Sequence, residues 1–292
     1  MAGSPRIALV TYDPGGAESK DRDLPVLVEA LREAGAGAVA VYWDDPAVDW
    51  AGFDLVLIRS TWDYSWRAGE FTAWAERCGK ATRLANPADV VRWNADKRYL
   101  GQLAEAGVPA VPTRYFAPGD PVDLSADREY VVKPASGAGA RYAARYPAGE
   151  RDAAARQVER MHAEGFTVMV QPYLAGIDTH GERALQFFGG RLLHASVKGA
   201  VLAPGMPYDA DKVAHPDLRP WEPTGAELDV AERALAAVPG DAEPLYARVD
   251  LVTGPDGKPC VMELELIEPN LFLDLHPDSV RHVVRAVLAA AG

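Results

Sequence analysis

Apolar residues in the first third of the chain fall in short unbroken runs separated by stretches of helical spacing. Residues 6–12, 38–43 and 54–59 are such runs, the pattern of strands buried on both faces. Between the first two, Leu24, Leu27, Val28 and Leu31 recur at helical spacing, with Gly35 as the stop. Phe71, Trp74 and Ala75 mark a second helical face. Strands alternating with helices predict a parallel sheet covered by helices, with ligands at the carboxyl ends of the strands. At that end of the third strand lies Arg59-Ser60-Thr61-Trp62-Asp63-Tyr64, a dense polar and aromatic cluster. A helix follows over about 95–106, with Leu100 and Leu103 inward and Gly107 as its stop. Residues 108–113 are extended, because residues before proline avoid the helical region, and 118–127 form a polar connection.

The pattern then changes. Strands are predicted at 129–133, 141–146, 166–171, 183–188 and 191–197, joined mostly by short turns; Gly189-Gly190 between two apolar runs is a hairpin signal. Residues 199–223 are proline-rich and polar, and a loop of that length reads as a lid. A helix at 226–238 precedes two strands, 246–252 and 259–264, paired across Gly254-Pro255-Asp256-Gly257, and a helix at 279–290 closes the chain. The fold class is therefore α/β, becoming α+β in the C-terminal half, with no internal repeats.

Of the 292 residues, 42 are acidic and 30 basic, a formal charge of −12. That argues against nucleic acid or an anionic membrane as the main partner, but not against ATP, since local cations override a global field. Cys78 and Cys260 form no CxxC pair, so neither a disulfide framework nor a structural zinc site is indicated, and two reduced thiols are expected. The apolar runs are too short to span a bilayer and the N-terminus lacks signal-peptide features, which makes the cytoplasm the expected location.

There is no Walker A pattern, strand-linked GxGxxG, HExxH or GxSxG. Three groups carry candidate chemistry instead. In the first, Lys133 ends a strand and a small-residue loop containing Ser136, Gly137 and Gly139 follows; an ammonium and close backbone N–H groups suit phosphate oxygens, although a flexible hairpin would look similar. In the second, a strand turns at Gln171-Pro172-Tyr173-Leu174, exposing backbone groups able to read an adenine edge. Asp178 stands seven residues after Gln171, suited to ribose hydroxyls; the plain alternative is a strand ending in a turn. In the third, Arg248 and Asp250 share one strand face, and Glu263 and Glu265 share another on the adjoining strand. Three converging carboxylates are costly unless a cation satisfies them, and Mg²⁺ favours such hard oxygens; an acidic edge strand facing solvent is the bland alternative.

In this order the three groups resemble the nucleotide site of the ATP-grasp superfamily, and the likeness covers nearly the whole chain. It implies an N-terminal parallel α/β pre-ATP-grasp domain (1–93), a linker helix and connection (94–127), a small central lobe (128–175) and a C-terminal lobe (176–292), with ATP clamped between the lobes. Asn94-Ala95-Asp96-Lys97-Arg98-Tyr99-Leu100 resembles the family's segment with an early nucleotide lysine, here Lys97, and Lys133 matches the second. Gln171, Tyr173 and Leu174 match the adenine hinge, where many relatives carry Glu at the position of Gln171, and Asp178 matches the ribose acid. Arg183 and Lys198 match basic positions that meet the transferring phosphate, and Arg248, on the same strand face as Asp250, can reach the same phosphates. Asp250, Glu263 and Glu265 match the metal ligands, the third being often Asn in the family. The implied cofactors are ATP and two Mg²⁺ ions, with Mn²⁺ as an alternative. The implied partner is a small amino-acid-like substrate, and relatives are commonly homodimers. More narrowly, the chain resembles the cyclo-ligases that close D-cycloserine from O-ureido-D-serine, with Arg59, Ser60, Thr61, Asp63 and Asn270 as substrate residues.

The resemblance implies that a substrate carboxylate takes the γ-phosphoryl group to give an acylphosphate, which a nitrogen then displaces. Acylphosphates hydrolyse, so the 137–139 loop and the 199–223 segment are expected to exclude water as lids. An open-chain carboxylate–amine ligase, a non-catalytic ATP sensor and a Rossmann-type dehydrogenase are the competing readings; the missing glycine fingerprint counts against the last.

Overall fold

Strands β1 (Arg6–Thr11), β2 (Gly37–Tyr42), β3 (Leu55–Ser60) and β4 (Leu84–Ala85) pair in parallel in the order β2-β1-β3-β4. The computed structural model describes residues 3–17, 19–124, 127–137, 139–140, 142–204, 217–240 and 243–292. All of β3, and β1 after its first residue, is buried, which is why their sequences are unbroken apolar runs. Helix α1 (Asp23–Glu33) turns Leu24, Leu27 and Leu31 inward and stops just before Gly35, whose φ of +89° suits glycine. Helix α2 (Ala68–Ala81) buries Phe71, Trp74 and Ala75.

The helix expected over 95–106 starts later: after helix α3 (Ala88–Asn94), which the sequence reading did not assign, the chain turns, and α4 (Tyr99–Glu105) begins only then. The reason is local: the Asp96 carboxylate accepts the Arg98 N–H at 2.9 Å, and the Lys97 N–H donates to the Ala135 carbonyl at 2.7 Å. Lys97 therefore sits in a turn bound to the loop of the central lobe.

That lobe is an antiparallel sheet of β5 (Arg114–Phe116), β6 (Tyr130–Pro134), β7 (Ala144–Tyr146) and β8 (Val168–Pro172), in the order β5-β8-β6-β7. Helix α5 (Arg151–Ala163) lies on it, in a stretch to which the sequence reading assigned no element. Its apolar face, Ala154, Val158 and Met161, is narrow, and Arg151, Asp152, Arg156, Glu159 and Arg160 obscure it in a pattern reading.

After the short helix α6 (Gly176–His180) come β9 (Glu182–Phe188), β10 (Arg191–Lys198), β11 (Arg219–Trp221), helix α7 (Gly225–Ala236), β12 (Tyr246–Thr253), β13 (Pro259–Glu265) and helix α8 (Val280–Ala291). The strands form one antiparallel sheet, β11-β10-β9-β12-β13. The segment read as a lid thus ends in a strand, since Trp221 pairs with Ala195; its residues 205–216 lie outside the described residues. Helix α7 begins with a full capping box between Thr224 and Glu227. Helix α8 packs Val283 and Val287 into the same core as Leu24, Leu27 and Leu31 of α1, so the two ends of the chain close on each other. Both cysteines are buried free thiols, and among the described residues no helix is long and apolar enough to cross a membrane.

Candidate active site

Residues of β6 and the end of β8 on one side, and of β9, β10, β12 and β13 on the other, line a cleft of about 1150 Å³ counted out to solvent. Its apolar lining includes Val131, Leu174, Ile177, Leu202 and Met262; its charged lining is four cations (Lys97, Lys133, Lys198, Arg248) and four carboxylates (Glu182, Asp250, Glu263, Glu265). The charged residues share faces because strand side chains alternate: Arg248 and Asp250 point into the cleft while Val249 and Leu251 are in the core. Register sets the partners, with Asp250 opposite Glu263 and Arg248 opposite Glu265 across β12 and β13.

Each carboxylate is matched to a cation. Arg248 grips Asp250 with two nitrogens, both at 2.8 Å, and also bonds Glu265. Lys198 reaches Asp250 at 2.7 Å and pairs with Glu182; Lys97 reaches Glu263 at 3.2 Å and bonds the Gly137 carbonyl. Burial opposes the charge on Asp250, but Arg248 and Lys198 hold its carboxyl well below the usual range. Glu263 is lowered too, with burial outweighed by Lys97 and Lys133. Burial wins at Glu265, which is raised, and at Glu182, which is pushed up to about 7. Burial also lowers Lys133.

A second pocket of about 530 Å³ opens beside the first. The two share Lys97, Gly137, Gly139, Arg248, Glu263 and Glu265, and none of the apolar cleft residues. Its remaining wall is Trp62, Tyr64, Asn94, Tyr99, Leu264, Glu268 and Asn270.

Against the sequence-derived set, the structure brings Lys97, Lys133, Gly137, Gly139, Gln171, Tyr173, Leu174, Lys198, Arg248, Asp250, Glu263 and Glu265 into one cleft, and Asn270 into the pocket beside it. Ser136 is close by in sequence but is not on the cleft lining; its hydroxyl is buried. Arg141, a further candidate for the phosphate, lies outside the described residues.

Three readings need correction. Arg183 lies on the opposite face of β9 from Glu182, where it bonds Glu227 at 2.9 Å, Thr253 at 2.9 Å and the Gly181 carbonyl; period-two alternation turns it away from the cleft. Asp178 is off the cleft lining, taken up by Tyr173 at 2.5 Å and Arg145 at 3.1 Å, and Glu182 is the carboxylate on the cleft wall. In the strand-end cluster, Arg59, Ser60 and Thr61 are buried and Asp63 faces Trp43 and Arg67, while neighbouring Trp62 and Tyr64 line the second pocket. The metal-ligand reading is left open: Asp250, Glu263 and Glu265 are ion-paired with Arg248, Lys198 and Lys97, and among the described residues no three His, Cys, Asp or Glu side chains gather at metal distance.

Among the polar and aromatic lining residues, Glu182, Trp62, Tyr64, Asn94, Tyr99 and Glu268 are those to which the sequence reading gave no role. A signal for Glu182 existed: it opens β9 two residues before Ala184, which pairs with Asp250 and so shares its face.

Residues 7–86 match the family model for D-cycloserine synthetase DcsG, N-terminal domain. Over 284 residues the chain is 40% identical to the cycloserine biosynthesis protein DcsG of Streptomyces lavendulae, covering 91% of this chain and 93% of that protein. The chain belongs to the DcsG family. A crystal structure of D-cycloserine synthetase DcsG agrees with it at a TM-score of 0.87 and 37% identity, covering 98% of this chain and 100% of the other. D-alanine–D-alanine ligase from Bacillus anthracis, complexed with ATP, agrees at 0.68 and 15% identity over 99% and 97% of the two chains. An ATP-grasp RimK domain protein from Sphaerobacter thermophilus agrees at 0.63 and 21% identity over 98% of each chain. These last two show the fold, which is ATP-grasp.

This DcsG-family chain is thus an ATP-dependent ligase that forms a C–N bond and releases ADP, and ATP-grasp ligases use ATP with Mg²⁺. The cleft suits the nucleotide: its apolar lining can receive a base and its lysines a polyphosphate. The donors suit Mg²⁺ in chemistry, since Asp250, Glu263 and Glu265 present hard oxygens beside those lysines.

Proposed function

We propose that this ligase closes the ring of D-cycloserine from O-ureido-D-serine. The reading is supported by its relatives' names and by one observation in particular: the second pocket opens off the charged part of the nucleotide cleft and shares Lys97, Arg248 and Glu263 with it. A carboxylate held there lies next to the position of the γ-phosphoryl group.

In this reading the apolar cleft wall and the hinge at Gln171–Leu174 take the base, and Glu182 takes the ribose in place of Asp178. Lys97, Lys133, Lys198 and Arg248 offset charge on the phosphates. Two Mg²⁺ ions, or Mn²⁺, held by Asp250, Glu263 and Glu265, would supply further charge neutralisation along the phosphates. Lys198 and Arg248, which Asp250 binds in the free protein, are then released towards the phosphoryl oxygens. The substrate carboxylate attacks the γ-phosphorus, ADP leaves, and the hydroxylamine-type nitrogen of the same molecule displaces phosphate. Holding both ends of one substrate raises their effective concentration. The ring nitrogen of the product carries hydrogen, so water attacks the ureido carbonyl, the C–N bond to the ring nitrogen breaks, that nitrogen takes a proton, and the carbamoyl group leaves as carbamate, which breaks down to carbon dioxide and ammonia.

The test is ADP release with Mg·ATP and O-ureido-D-serine, its L-enantiomer, D-alanine, or D-alanine with a second amino acid. Turnover with O-ureido-D-serine alone, giving a product of cycloserine mass, is expected. Release only with two amino acids would instead make it an open-chain ligase.

A further inference from the structure

The segment that follows β13 is held unusually firmly. Five consecutive carbonyls each accept a side-chain hydrogen bond from a different part of the fold. Ile267 accepts from Tyr246 at 2.8 Å, Glu268 from Trp62 at 3.4 Å, Pro269 from Arg59 at 2.9 Å, Asn270 from Gln186 at 2.6 Å and Leu271 from His194 at 2.7 Å. The N–H groups are held from the other side: Asp23, in the first turn of α1, accepts those of Leu271 at 2.7 Å, Phe272 at 3.2 Å and Leu273 at 2.9 Å.

The clamp bears on the second pocket in two ways. Asn270 lies on the pocket wall, and the Phe272 ring, behind the wall, lies 5.6 Å from the guanidinium carbon of the wall residue Arg248. Phe272 has φ +56°, a left-handed conformation rare for an aromatic residue, which persists only where the surroundings over-determine it. The three bonds of Asp23 centre on that residue. We propose that Asp23 is a positioning residue for the carboxylate substrate: from α1 it sets where Asn270 stands on the wall of the second pocket and, through the Phe272 ring, where Arg248 stands. The assignment rests on that pocket being the substrate site. No residue of the segment lines the nucleotide cleft; its link to the shared Arg248 runs through the Phe272 ring, so the larger effect falls on the substrate of the second pocket.

The test is Asp23→Asn, whose amide keeps one acceptor oxygen and turns an NH₂ group towards the remaining N–H donors. The expected result is a KM for O-ureido-D-serine raised about ten-fold or more, with the KM for ATP within about two-fold of wild type. A role in folding alone would lower kcat through the active fraction and leave both KM values unmoved, and that result overturns the assignment. Phe272→Leu keeps the Asp23 bonds and removes the aromatic face; it carries the test if Asp23→Asn does not fold. It should raise the same KM about three-fold, and an unchanged KM in the folded variant overturns the assignment. Failure of the functional reading looks different, because the wild type itself would then be inactive on O-ureido-D-serine.

Discussion

Lys133 and Asp250 line the same cleft but differ in what their removal leaves behind. Among the described residues no ion pair within 4 Å ties Lys133 down, whereas Asp250 is bonded to both Arg248 and Lys198 in a nearly water-free position. Lys133→Ala is therefore expected to abolish substrate-dependent ADP release while leaving the far-ultraviolet circular dichroism and Tm close to wild type. Asp250→Ala leaves the buried Arg248 and Lys198 with only Glu265 and Glu182 as ion-pair partners and is expected to cost about 3 kcal/mol of stability, read by denaturant unfolding. Glu182→Gln and Asp178→Asn separate two carboxylates that the sequence could not tell apart. The first should raise the KM for ATP about ten-fold and the second about two-fold or less.

His194 offers a pH test at the same scale. Its Nε2 meets the Leu271 carbonyl and so carries the proton, leaving Nδ1 to accept from Ser279. Burial, with His276 stacked 4.0 Å away, pushes its pKa down to about 4. Between the ordinary value of 6.5 and about 4 the unfolded chain binds a proton that the folded chain does not, so stability falls as pH drops through that window. His194→Gln should lose part of that dependence, seen as a smaller drop in Tm between about pH 7 and about pH 5.

At the scale of elements, the turn before β9 decides where Glu182 and Lys198 meet. Gly181 has φ +71° and ψ −171°, and a Cβ there would lie 2.5 Å from the Lys198 carbonyl oxygen. Gly181→Ala is expected to cost about 2 kcal/mol or more and to raise the KM for ATP, because the backbone bearing Lys198 must move. The turn between α3 and α4 follows the same logic. Asp96 and Lys97 read as helix from composition, and the chain breaks there because Lys97 donates its N–H to Ala135 of another lobe. Strands β1, β3, β12 and β13 were legible because their patterns are strong and local, whereas the narrow apolar stripe of α5 was masked by charge.

At the scale of the molecule, the second pocket exists only where distant regions meet. Trp62 and Tyr64 come from the parallel-sheet domain, Asn94 and Tyr99 from the linking helices, Gly137 and Gly139 from the loop after β6, Arg248, Glu263 and Glu265 from β12 and β13, and Glu268 and Asn270 from beyond the last strand. Nucleotide binding should therefore register in global stability. Mg·ATP at about 100 times its Kd is expected to add about 2.7 kcal/mol, seen as a rise in Tm of several degrees. Lys133→Ala should abolish most of that rise.

The sequence by itself determined the α/β architecture, the order of the three chemical groups and the β12–β13 carboxylates. Each of these is written in local periodicity or short spacing, which a linear pattern preserves. Only the tertiary structure decided that Arg183 serves Glu227, that Glu182 and not Asp178 meets the cleft, and that Arg59 holds the Pro269 carbonyl. Those outcomes depend on which strand face a side chain takes and on what distant segment arrives opposite it. A spacing of one or two residues leaves both choices open until the sheets are assembled.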